Sequence, residues 1–410
     1  MPTAPNLALR VLLPFAAGYF LSYLYRSVNA VLAPEITRAI SLEAAELGLM
    51  TGAYFLAFAA AQPPLGILLD RFGPRRVEAV LLLAAAAGAL VVARAEGASA
   101  LIAGRVLVGF GVAACLMAAL KANILWFPRH RLALVNGIVL SAGGLGAAAA
   151  AAPIQAALAV TDWRGVHALL SGLTVTAAAW LFLAVPERRD LPHPSAGTSL
   201  ADQMREIAVI VASPLFRRVA PAATVAMGAF MAVQGLWAGP WLRDVAGLDA
   251  DRAATALTVM AAAMAAGFLL TGAIAERLSR LGVPPIRVAA AGMATFCLAG
   301  LAMALGVIVA PVALCAVYGF TGTASSLSYV VLTDGFPARM AGRVNTSLNL
   351  AIFVAAFGLQ WGIGAVIGLW PATAGGWPPE AYGTALLIPA GLGAVALPPL
   401  MAAARKAPAG

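Results

Sequence analysis

The sequence predicts an all-α membrane protein whose twelve transmembrane helices form two pseudo-symmetric six-helix bundles. Three observations lead there: a composition too apolar for water, twelve separate apolar runs, and an internal repeat of about half the chain. Of 410 residues, 62% are hydrophobic and 10% charged, and the mean hydropathy is +0.91. Soluble domains are about 45–50% apolar and ~25% charged. A water-soluble fold cannot hide that much apolar surface, so lipid must solvate most of it.

A spanning helix needs about 20 apolar residues. Runs broken by charge or Pro/Gly clusters place spans near 11–33, 46–69, 77–94, 99–125, 133–159 and 166–185 in the first half. In the second half they fall near 217–241, 253–275, 287–306, 310–333, 344–368 and 384–403. The first run is too long for a signal-peptide core and leads to no A-x-A site, so it is read as span one. The polar stretch from Pro186 to Arg217 divides the chain near its midpoint. This sets a bundle at 1–185, a cytoplasmic linker at 186–216 and a second bundle at 217–410, with MREIAVIV in the linker as a short surface helix.

The net charge of +9 is explained by its distribution. With the N-terminus inside, eighteen Arg/Lys fall in cytoplasmic loops, and five (Arg38, Arg94, Arg164, Arg243, Arg252) fall outside. Three, Arg26, Arg105 and Lys121, lie within spans. That bias puts both termini in the cytoplasm of an inner-membrane protein, and it makes the basic charge a topology signal rather than a nucleic-acid footprint. Cys115, Cys297 and Cys315 lie inside spans without ligand spacing and read as packing residues. His130, His167 and His193 sit at span ends or in loops and make no triad or metal spacing. No enzyme, cofactor or metal is therefore expected, and the chain is read as a monomer in the bilayer.

The repeat is carried by two echoes. GILLDRFGPRR (Gly66–Arg76) closes span two, and GAIAERLSRLG (Gly272–Gly282) closes span eight, 206 residues later. Phe127-Pro128, followed by Val135-Asn136, recurs as Phe336-Pro337 and Val344-Asn345 at an offset of 209. Six spans separate each pair, so the halves have the same orientation. They are expected to be related by an axis along the membrane normal, with a site between them at mid-depth.

On these residues the chain resembles the major facilitator superfamily of secondary transporters. Gly66, Asp70, Arg71, Gly73, Arg75 and Arg76 fill the superfamily's G-x-x-x-D-R-x-G-x-R-R pattern, and Arg105, Gly109 and Gly111 resemble its span-four motif. The resemblance implies that the first loop is a cytoplasmic latch between halves, with Glu276 and Arg277 in a weaker second copy. Chemically, Gly66 suits close helix approach, Gly73 a tight turn, and Asp70 an Arg or a helix N-terminus. YLYRSVNAVLAP (Tyr23–Pro34) and Trp126-Phe127-Pro128 further resemble the anion:cation symporter branch. That branch carries an acid beside the span-one Arg and a Glu in span four. Here Tyr25 precedes Arg26 and span four reads GVAACLMAAL, so its proton-coupling residues are not carried over.

An ionisable group at a span centre costs roughly 2.5–3.5 kcal/mol on insertion scales and usually lines a cavity. Arg26 reads either as an anion clamp, since guanidinium pairs carboxylate bidentately, or as a structural donor to carbonyls and Tyr side chains. Lys121 reaches either the cavity or, by snorkelling, the cytoplasmic interface. Arg105 reads as structural. No acid is expected centrally in any span: Glu35 ends span one, Glu78 starts span three and Asp334 ends span ten. Such an interior attracts anions and disfavours cations. Tyr23, Asn29, Gln234, Trp237, Tyr318, Gln360 and Trp361 complete the expected site, with an interfacial belt the other role open to Trp237 and Trp241. The expected activity is transport of a small organic anion by alternating access, with proton coupling as the family's habit. With Arg26 structural, the same fold would instead export neutral or amphipathic compounds.

Overall fold

The computed structural model describes residues 8–128, 131–187, 200–337, 340–372 and 376–406. His130 and His193, and residues 188–199 of the expected 186–216 linker, lie outside the described residues. The first half contains α1 (Leu13–Ser27), α2 (Asn29–Ile40), α3 (Ala44–Ala93), α4 (Ala98–Gly111), α5 (Cys115–Trp126), α6 (Leu132–Ala149), α7 (Ala152–Ala157) and α8 (Trp163–Ala184). The second contains α9 (Leu200–Ala212), α10 (Pro214–Ala232), α11 (Ala238–Asp244), α12 (Ala250–Ser279), α13 (Pro285–Ala304), α14 (Pro311–Gly322), α15 (Leu327–Asp334), α16 (Ala341–Ile367) and α17 (Pro379–Lys406). Nine helical stretches among the described residues are long and apolar enough to cross a membrane.

Local chemistry explains where helices start and break. Asp162, Ser213 and Asp249 accept hydrogen bonds from the backbone N–H three residues on, capping α8, α10 and α12. The 50 helical residues of α3 are interrupted at Gly73, whose φ of 78° is open to glycine and costly for residues with a Cβ. Between α10 and α11 the chain makes a π-helical turn, Val233–Trp237. Pro240 lacks the N–H that would close an ordinary turn onto Leu236, and the backbone widens there. Between α4 and α5 the ladder lapses, and the freed Ala113 carbonyl accepts from Gln62 Nε2 at 3.4 Å.

The chain forms two compact units, Met1–Ser41 with Ala53–Leu200, and Leu42–Gly52 with Ala201–Gly410. The same contacts recur inside each. A Cβ on Gly109 would overlap the Tyr54 carbonyl, and one on Gly319 the Met260 carbonyl. Gly146 meets the Phe20 backbone in the first unit, and Gly228 meets Ala355 in the second. Asn136 accepts from Asn123 at 2.9 Å, and Asn345 accepts from Thr333 at 3.0 Å. Partners in every pair stand 206 to 210 residues from their counterparts, so the repeat read from two loops extends to the packing of the helices.

Candidate functional site

In the first unit, Arg26 is 5% exposed near the end of α1. Its guanidinium lies 4.4 Å from the Tyr23 ring centroid and 5.6 Å from that of Phe58, distances at which aromatic faces attract a cation. Tyr19 and Tyr54 also surround it. Tyr23 packs edge-on against Tyr19, with centroids 5.1 Å apart. Both rings press on Gly143 of α6, the residue that leaves room for them. Tyr54 donates to the Ser22 carbonyl at 3.2 Å, tying α3 to α1. Asn29 is fully buried just beyond, at the start of α2. Sequence reasoning missed Tyr54 and Phe58, although they lie one turn apart on a single face.

Arg105 has a different job. Its Nη1 donates to the Tyr25 carbonyl at 2.9 Å, and its guanidinium lies 4.9 Å from the Tyr54 centroid. Tyr25 in turn shares a 2.9 Å hydrogen bond with Thr174 of α8. This network joins α1, α3, α4 and α8 and holds Arg26's neighbours in place.

One of the acids read at a span end is buried inside the first unit. Glu78 is 0% exposed. It shares a helix face with Leu82, Ala85 and Ala89, all equally buried, at the i, i+4, i+7, i+11 spacing of a packed stripe. Read along the sequence, it stands just inside the start of span three and looks interfacial. Read by helical period, it belongs to the packed face, and that signal would have found it.

At the loop, Lys121 forms an ion pair with Asp70, which brings it to the latch residues. Arg76 pairs with Glu187. Arg75 Nε donates to the Phe182 carbonyl at 2.8 Å, while Arg71 lies 5.2 Å from the Phe72 centroid. Gly66 does not serve the close approach expected of it, because a Cβ there would meet nothing within 4 Å. In the second copy Glu276 pairs with Arg280, one turn on, at 2.6 Å, while Arg277 lies in the last turn of α12.

In the second unit the π-helical turn carries Gln234 and Trp237, both buried. Gln234 Nε2 donates to the Met264 sulfur at 3.5 Å, a weak acceptor. Trp237 Nε1 donates to the Gln360 carbonyl at 3.0 Å, so it is a core residue rather than a belt residue. Trp241, likewise buried, donates to the Met303 carbonyl at 3.1 Å. Gln360 is 0% exposed, and neither amide atom has a hydrogen-bond partner among the described residues. Such a group keeps its hydrogen-bonding capacity for another polar partner. Trp361 is 45% exposed and stacks on Phe357, apart from this cluster. Tyr318 is committed to the unit's interior, donating to the Ala229 carbonyl at 3.3 Å and packing 4.4 Å from Phe296.

Comparison with known proteins places this architecture. The family model described as Major Facilitator Superfamily matches residues 15–357. A probable sulfoacetate transporter of Cupriavidus necator is 27% identical over 276 residues, 63% of either chain. The hexuronate transporter of Escherichia coli K12 is 26% identical over 54% of this chain and 49% of its own. The match thus spans less than two thirds of either relative. Among solved structures, a bacterial homologue of the human lysosomal transporter Spinster, inward-facing and unoccupied, aligns over 98% of both chains with a TM-score of 0.74 at 18% identity. A D-xylose–proton symporter aligns over 94% of this chain and 95% of its own with a TM-score of 0.69 at 16% identity. Those likenesses establish the fold, and with the family match they show that the chain belongs to the major facilitator superfamily of membrane transporters.

Proposed function

We propose that this protein carries a small organic anion across the bacterial inner membrane by alternating access, coupled to protons. In this reading twelve spans form two six-helix halves, both termini are cytoplasmic, and the monomer is the working unit. The observation that carries the anion assignment is Arg26, a buried guanidinium framed by Tyr19, Tyr23, Tyr54 and Phe58. Guanidinium offers paired N–H donors that match a carboxylate or sulfonate. The relatives named for sulfoacetate, hexuronate and galacturonate all concern compounds bearing such a group. Gln234, Trp237 and Gln360 supply the neutral side of recognition, and the unpartnered Gln360 amide suits hydroxyl or carbonyl oxygens of the substrate body. Lys121, Asp70 and the Arg75–Arg76 pair serve the conformational change. The test is uptake of labelled sulfoacetate and galacturonate into proteoliposomes holding the purified chain. Saturable uptake, competed by the other organic anion and not by a neutral sugar, is expected. Transport of neutral amphipathic compounds with no effect of either anion would overturn the reading.

A further inference from the structure

Glu78 lies five residues past the break at Gly73, about 7.5 Å along the helix. Its carboxyl group sits over Gly18 of α1, where a Cβ would overlap an oxygen of Glu78 and come within 3.8 Å of the Cys115 sulfur. Three helices therefore close on one carboxyl group, and the absent side chain at Gly18 makes the space for it. Neither oxygen receives a hydrogen bond from an N–H or O–H of the described residues. The group beside it is the Cys115 thiol, a weak donor. Arg26 acts electrostatically on the same thiol from α1, two turns or about 12 Å beyond Gly18. The other nearby cations are spoken for: Lys121 pairs with Asp70, Arg76 with Glu187, and Arg75 bonds the Phe182 carbonyl.

An ionised carboxylate sealed in this way loses its hydration and gains no donor in return, whereas a neutral acid loses far less. Packing residues do not need a carboxyl group, and the rest of the stripe is Leu and Ala. We propose that Glu78 is the proton-binding residue of the carrier. One proton forms an O–H bond at its carboxylate from the aqueous side to which the site opens. That bond breaks to water on the other side after the transition, and no other group is consumed. Arg26 and Glu78 then place anion and proton in one unit, so the loaded carrier moves with less net charge than the anion alone would impose. This assignment rests on the anion-transport reading above.

The experiment compares two modes in proteoliposomes, with galacturonate and sulfoacetate as probes. Counterflow needs substrate exchange only, whereas concentrative uptake driven by an acid-outside gradient needs the proton to move. Glu78→Gln is expected to keep counterflow and lose concentrative uptake, and Glu78→Asp to recover it. Concentrative uptake by Glu78→Gln at the wild-type level overturns the proposal. So does loss of both modes in a protein that remains folded and monodisperse, or a wild type that exchanges but never concentrates. A second measurement needs neither variant nor substrate: dicyclohexylcarbodiimide, which modifies protonated carboxyl groups in apolar sites, is applied to the full wild-type chain and mapped by peptide mass. Label at Glu78 in acid that vanishes in alkali supports the assignment, and absence of label there at every pH overturns it. A protein that labels at Glu78 but moves neither anion sinks the anion reading and leaves the proton site standing.

Discussion

Arg26 and Gln234 stand 208 residues apart, at the same register of the helix that opens each repeat, and their surroundings have little in common. Arg26 is set among three tyrosines and a phenylalanine, while Gln234 leans on a methionine sulfur. The contrast holds across both interiors. Every buried charged side chain among the described residues, Arg26, Glu78 and Arg105, belongs to the first unit. The second buries hydroxyls and amides, among them Gln234, Thr323, Ser325 and Gln360. Yet the helices meet at matching places in both. Close backbone contact and the chemistry of the interior are thus separable, and the scaffold persists while the buried polar groups diverge.

Converting Arg26 to the residue at its counterpart position tests this contrast most severely. Arg26→Gln makes the first unit resemble the second. Losing one partner of a buried charge-assisted pair costs about 2–5 kcal/mol, so galacturonate or sulfoacetate binding, followed by ligand-induced thermal shift, should weaken at least about 30-fold at ~1.4 kcal/mol per decade. Undiminished binding would show that the asymmetry has nothing to do with recognition. Next in size are Gly109→Val and Gly319→Val. Each forces a side chain against a backbone carbonyl, and overpacking costs about 1–3 kcal/mol. The two should lower thermal stability to a similar extent, and a large effect in one unit alone would break the equivalence of the scaffolds. The smallest change is Asn136→Ala beside Asn345→Ala. An interhelical hydrogen bond in a membrane averages about 0.6 kcal/mol, so both should give slight and matching losses in chemical unfolding.

Much of this organisation was readable before the structure, because it depends on features that sequence displays linearly. Apolar runs, the glycine and charge spacing of Gly66–Arg76, and the Phe-Pro…Val-Asn echo each occupy a contiguous stretch. The misplaced residues depend on three-dimensional context. Glu78 looked interfacial because depth was judged from the nearest charged loop, whereas burial is decided by α1 and α5 closing over it. Lys121 had two open roles until Asp70, 51 residues away, came within reach. Tyr318 and Trp241 were read by residue type as site and belt candidates, and packing drew both into the second unit's core. Gln360 and Trp361 are neighbours in sequence but sit on different faces of α16, so one is sealed and the other exposed. Gly66 carried a motif's expectation of close packing that the first unit does not use.

The contact between Gly109 and the Tyr54 carbonyl has a consequence for how the first unit tolerates change. The glycine touches main-chain oxygen, which is the same whatever side chain residue 54 bears, and in the second unit the equivalent Met260 meets Gly319 in the same way. Tyr54 is also part of the frame around Arg26. The glycine contact therefore survives substitution at residue 54, whereas the hydroxyl bond to Ser22 and the ring face beside Arg105 do not. Residue 54 thus docks its helix through the main chain at Gly109 and through the side chain at Ser22 and Arg105.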